Sequence, residues 1–200
     1  ESYCPLPFEA RTHERNPQPE PLEEMVRAIN QSSDTGFAQA VGAYLDLRLA
    51  LTYLAVETFL SEFDGLAGHW GLNNFYLYRF NGGVLSQFIP WDKDNTFHEL
   101  EHSIFLRTGE NVLFRRALAV PELRAHYLAA LERCAELAGG EGGWLERQVA
   151  AEYMLTRAAA VSDPRSPHSA EAFEGDSARL VDFARRRAGF VLAEVARARQ

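Results

Sequence analysis

Residues 45–62 constrain the fold more than any other stretch. Leu47, Leu51, Leu54, Ala55 and Thr58 recur at helical spacing and form one stripe. Leu45, Leu49, Val56 and Leu60 form a second. A helix that is apolar on two sides has no face to give to water. The pattern therefore predicts a central, buried helix. Asp64-Gly65 follows and ends it.

The next signal is a hairpin. Residues 75–80 and 84–89 read as strands, and Asn81-Gly82-Gly83 lies between them. Asn and Gly accept the positive φ that tight hairpin turns demand. Pro90 stops the second strand, and residues 91–108 read as irregular and polar. Beyond them the chain turns helical. Helices are expected over 111–119, over 121–137 opened by Pro121, and over 144–160. A loop over 161–175 carries Pro164 and Pro167. Asp176 or Ser177 is then expected to cap a last helix, with Leu180, Phe183, Phe190, Val191 and Val195 inward. Upstream, residues 22–30 suit a short helix, and Asp34 or Thr35 is placed to cap another over 36–41. Residues 1–21, with Pro5, Pro7, Pro17, Pro19 and Pro21, read as an extended arm. Together these elements predict an α+β domain, mostly helical, with one β-hairpin beside a buried helix.

Composition narrows the function classes. A net charge of −8 argues against a general nucleic-acid binder, which needs a basic face. No apolar run is long enough to span a membrane, because Asp46, Arg48 and Glu57 interrupt the best one. Cys4 and Cys134 are too few for a disulfide framework, and whether they pair stays open. Lys93 is the only lysine. The chain starts at Glu1 without a methionine or a signal-peptide pattern, which reads as a fragment or a processed product.

Chemistry concentrates between Asp64 and Asp94. Asp64 stands in a glycine-rich loop after the buried helix, Asn73-Asn74 at the mouth of the hairpin, and Trp91-Asp92-Lys93-Asp94 at its far end. A hairpin returns the chain to where it started, so Asn74 and Asp92 are expected to be neighbours. Magnesium takes oxygen ligands, usually one or two carboxylates plus substrate phosphates. Asp64 is then free to orient or deprotonate an acceptor hydroxyl.

These residues resemble the CotH family, the spore coat protein H-like atypical protein kinases. The likeness rests on Asp64 in its loop, on Asn74-Phe-Tyr-Leu-Tyr78, and on Ile89-Pro-Trp-Asp-Lys-Asp-Asn-Thr-Phe97. Asn111-Val-Leu-Phe-Arg-Arg-Ala-Leu, the run from Pro121 to Tyr127 and the run from Phe183 to Val191 add to it. The resemblance implies a kinase-like C-terminal lobe that uses Mg2+ and ATP to phosphorylate protein substrates. It implies Asp64 as the catalytic aspartate, and Asn74 or its neighbour Asn73 as a metal ligand. It implies Asp92 as the magnesium- and nucleotide-binding aspartate, with Asp94 in support. Residues 1–44 would be the tail of an upstream lobe and residues 45–200 the lobe with the metal and catalytic loop. A kinase also needs a small lobe with a glycine-rich cover and a basic residue on the phosphates. None is recognisable before Leu45, so the nucleotide's other wall is expected from an N-terminal lobe absent from this chain. The isolated chain is then expected to be inactive. The resemblance allows an extracytoplasmic or spore-coat location without choosing one.

Two other readings compete. His98-Glu99-Leu100-Glu101-His102 matches H-E-x-x-H. On a helix its histidines would bind zinc, with Glu99 as general base and Glu122 as a third ligand. Against this, the motif follows a turn-rich stretch and lacks a long apolar helix to carry it. The other alternative is a non-catalytic helical interaction module. Singly, Asp64, Asn73 and Asn74 read as turn and cap residues. Trp91 reads as a core or rim aromatic, Tyr76 and Tyr78 as packing on the sheet face, and Arg185, Arg186 and Arg187 as a solvated helix face.

Overall fold

A computed structural model describes residues 8–200. Cys4, Pro5 and Pro7 lie outside the described residues. Among the described residues seven helices and one hairpin follow one another: α1 Glu20–Gln31, α2 Phe37–Gly42, α3 Leu47–Phe59, β1 Phe75–Arg79, β2 Ser86–Pro90, α4 Val112–Ala119, α5 Pro121–Ala138, α6 Trp144–Ser162 and α7 Ala170–Ala198. The fold is α+β and mostly helical, as the sequence predicts. Among the described residues no helix is long and apolar enough to cross a membrane.

The centre is α3. It packs against α5, β2 and α2, while α5 also packs on α7, and α7 on α6. Leu51, Leu54 and Ala55 are fully buried, so the first stripe faces the core. The second stripe divides. Leu45 is buried, but Leu49 and Val56 are exposed and line a cleft. The helix starts later than its apolar pattern, at Leu47, because Asp46 caps it by accepting from the Leu49 N–H at 2.9 Å. Leu45 instead bridges to Ser86, which ties the start of α3 to the hairpin.

The hairpin pairs Phe75 with Pro90 and Arg79 with Ser86. Gly82 takes φ 76° in its turn, where a side chain would be strained. Phe88 turns inward onto α3, while Tyr76 and Tyr78 are exposed on the outer face. There Tyr76 meets the exposed rim residue Trp91 edge-on, ring centres 5.3 Å apart. Asn111 caps α4, accepting from the Phe114 N–H at 3.2 Å, and Pro121 opens α5.

Three expectations are corrected. Neither Asp34 nor Thr35 caps α2; the N-cap is Gly36, and Asp34 pairs with Arg116 at 3.1 Å. The last helix begins well before Asp176. Ser169 caps α7 by accepting from the Ala172 N–H at 3.2 Å, and only residues 163–169 are loop. Its first turns carry no apolar stripe. They are held by α6 instead, where Tyr153 stacks on Phe173 and Arg157 pairs with Glu174 at 2.7 Å. Arg185 and Arg186 are exposed, but Arg187 is wholly buried. Its guanidinium donates to the carbonyls of Thr58 (2.7 Å), Phe59 (2.9 Å) and Leu100 (2.6 Å). The end of α3 leaves carbonyls without helical partners, and Arg187 supplies them.

Candidate active site

The site is assembled where α3 ends. Ser61 adopts φ 55° and turns the chain, and the Phe63 N–H donates to the Asn95 carbonyl at 2.9 Å. The loop carrying Asp64 is therefore laced to the segment after β2. Gly68 lies against the Phe63 carbonyl so closely that a Cβ would stand 2.2 Å from its oxygen. Only glycine lets this loop fold back.

Asp64 is held at both oxygens. Asn73 Nδ2 donates to Oδ1 at 2.8 Å, and Asn74 Nδ2 donates to Oδ2 at 2.7 Å. Each amide commits its nitrogen to Asp64 and keeps its carbonyl oxygen as an acceptor. Asn74 sits at φ 53° and Asp92 at φ 49°, both in the left-handed region that costs non-glycine residues energy. The hairpin brings these two segments together, for the Trp91 N–H donates to the Asn74 carbonyl at 3.2 Å. Asp92 and Asp94 are exposed, and Asp94 Oδ1 accepts from the Asn95 amide at 3.0 Å. Asp64, Asn73 and Asn74 thus form one hydrogen-bonded group, with the Asp92 segment bonded beside it.

Three charged residues add to this group. Glu57 is 5 % exposed on the inner part of α3, where Thr58 is the other buried polar residue. Its Oε1 accepts from Lys93 Nζ at 2.6 Å, and its Oε2 accepts from the Leu66 N–H at 2.8 Å. Burial raises the Glu57 pKa, and the Lys93 ammonium pulls it back. Glu62 is 2 % exposed. Its Oε1 accepts from the Asp64 N–H at 2.8 Å, and among the described residues its buried Oε2 has no partner. Burial is also the main cause raising the Glu62 pKa. Sequence reasoning named none of these three as a site residue, and met Glu57 only as a break in an apolar run. One signal was available for Glu57: it is the only acid within α3.

The donor set is all oxygen. Among the described residues no group of three or more His, Cys, Asp or Glu side chains is placed to hold a metal ion. Asparagine carbonyls with one or two carboxylates remain a set that magnesium accepts when phosphate oxygens and water complete its shell. The unpartnered Glu62 oxygen and the surplus of acids over the single lysine fit an added cation. Beside Lys93 lies a cleft of about 270 Å³, walled by Leu49, Tyr53, Val56, Phe88 and Pro90.

Residues 98–102 are not helical, so His98 and His102 do not share a helix face. His98 stacks on Phe63 at 4.2 Å, and His102 is buried with Nδ1 3.3 Å from Ser61 Oγ. The geometry that the zinc signature needs is missing from these residues.

A family model described as CotH kinase protein matches residues 3–191. The chain is also similar to the inner spore coat protein H of Bacillus subtilis (strain 168). The two are 27 % identical over 177 residues, which cover 85 % of this chain and 47 % of that protein. The chain thus spans about half the length of the curated relative it matches.

Proposed function

The chain belongs to the CotH kinase protein family, and from that premise we propose that it carries the metal and acceptor side of an ATP- and magnesium-dependent protein kinase. The observation that supports this most is the clamp on Asp64, whose two oxygens are each fixed by a neighbouring asparagine amide.

Magnesium–ATP, when bound, supplies the transferable phosphoryl group and the charge that screens it. Catalysis of such transfers is mostly positioning and electrostatics, and the residues here suit both. Asp64 cannot rotate without breaking two hydrogen bonds, so it presents a fixed acceptor to a substrate hydroxyl. It would orient that hydroxyl and take its proton as the hydroxyl oxygen bonds to the γ-phosphorus and the bond from that phosphorus to the departing ADP oxygen breaks. Asp92 is the metal ligand, with the carbonyl oxygens of Asn73 and Asn74 beside it and Asp94 in support. The rest of the nucleotide site is assigned to an N-terminal lobe of the same protein.

Two variants of the natural full-length protein test this. Asp92→Ala is expected to abolish magnesium–ATP binding and transfer together. Asp64→Ala is expected to slow transfer by about 10²–10⁴-fold with nucleotide affinity little changed, as for loss of a general base. Transfer at the wild-type rate by Asp92→Ala would overturn the assignment. A wild-type protein that neither binds nor transfers would favour the non-catalytic interaction module.

A further inference from the structure

Glu57 lies at the junction of the two segments that carry the acids. It reaches Lys93, between Asp92 and Asp94, through Oε1 at 2.6 Å. Through Oε2 it holds the Leu66 N–H, two residues after Asp64, at 2.8 Å. Both contacts come from one carboxylate anchored on the buried face of α3. Gly65 makes room for it: a Cβ there would stand 2.6 Å from Oε1 and 2.7 Å from Oε2. Lys93 is itself seated, 23 % exposed, with its ammonium 5.4 Å from the centre of the Tyr53 ring. That same Tyr53 donates its hydroxyl to the Asn74 carbonyl at 3.3 Å.

Resting on the kinase reading for its functional half only, we propose that Glu57 is a positioning residue whose carboxylate, with Lys93, latches the Asp64 loop and the Asp92 loop to α3 and so fixes the spacing of the acids. The physical case is one of alternatives. Asp92 is exposed and sits at φ 49°, a region that Asp enters more readily than most residues but still only as a minority conformation. Backbone bonds flank it, from the Trp91 N–H to the Asn74 carbonyl and from the Phe63 N–H to the Asn95 carbonyl, and between them Lys93 is the side chain that ties the segment to α3. Breaking a buried pair at one end leaves the other charge stranded, so Glu57 adds a side-chain coupling between the two loops to the backbone bond from Phe63 to Asn95.

The test compares wild type, Glu57→Gln, Lys93→Met, the double variant and Gly65→Ala in the full-length protein. Hydrogen exchange reads the loops directly. In Glu57→Gln, exchange is expected to rise at least about tenfold at both residues 64–67 and residues 92–96, as a local opening would give. Gly65→Ala touches no charge, yet it is expected to loosen residues 92–96 as well, by displacing the carboxylate. The double variant leaves no buried charge alone, so its melting temperature is expected to return toward wild type. Its exchange protection and its affinity for magnesium–ATP are not. A purely structural pair would recover all three together, and that result overturns the proposal. So does opening of one loop without the other. If the wild type has no affinity for magnesium–ATP, the kinase reading fails, and the exchange measurements still decide the latch.

Discussion

His102 shows how one residue takes its chemistry from its surroundings. It is buried, and burial, with Arg187 and His69 adding to it, pushes its pKa down to about 4. Its Nδ1 lies 3.3 Å from Ser61 Oγ, which accepts from the Glu99 N–H at 2.9 Å. The unfolded chain binds this proton near its ordinary value of about 6.5, and the folded chain resists it. Stability contributed by the neutral ring is therefore intact above about pH 6.5 and is lost as pH falls toward 4. The loss amounts to about 2–3 kcal/mol at the low end of that window. Urea unfolding of wild type and His102→Asn across pH 4–7 is expected to show a difference that shrinks as pH drops. A constant difference would contradict this.

At the scale of elements, caps decide where helices start. Asp46 and Asn111 each accept a backbone N–H three residues on, and each stands one residue before its helix. The signal is local, a side-chain acceptor beside a periodic run, yet the sequence reading started these helices at residues 45 and 111 and placed its caps at Asp34 or Thr35 and at Asp176 or Ser177, where the structure has none. Asn111→Ala is expected to cost about 0.5–2 kcal/mol in thermal or chemical unfolding, and a change within error would refute the cap. The first turns of α7 were not legible. They hold their shape by the contacts of Phe173 and Glu174 with α6, and no helix-period pattern in residues 170–177 announces that.

For the whole molecule, Arg187 is the closing contact. It joins α7 to the end of α3 and to the irregular segment at Leu100. Burial pushes its guanidinium down to about 10, so it stays charged at neutral pH. Arg187→Ala strands the Phe59 and Leu100 carbonyls, leaves the Thr58 carbonyl with the Ser61 N–H, and opens a void, at a cost of about 3 kcal/mol or more. Arg187→Lys keeps the charge but loses the planar fork and is expected to recover only part. A loss below about 1 kcal/mol on urea unfolding of Arg187→Ala would show that the carbonyls find other partners. The same contact steadies the end of α3, from which the Asp64 loop departs, so core and site share this anchor.

Local rules carried the sequence reading far. The apolar α3 pattern and the Asn-Gly turn are settled among near neighbours, and the hairpin made Asn74 and the Asp92 segment adjacent by necessity. Tertiary structure decided which charges lie inside and what they touch. Glu57 meets a lysine 36 residues away, and Arg187 meets a carbonyl 128 residues away. A charge in a sequence reads as solvated because burial is costly without a partner. Whether a partner exists depends on how distant segments pack, and no spacing along the chain records it. The family was therefore readable from the residues, while the glutamates and the lysine packed beside Asp64 and the Asp92 segment became visible only in the fold.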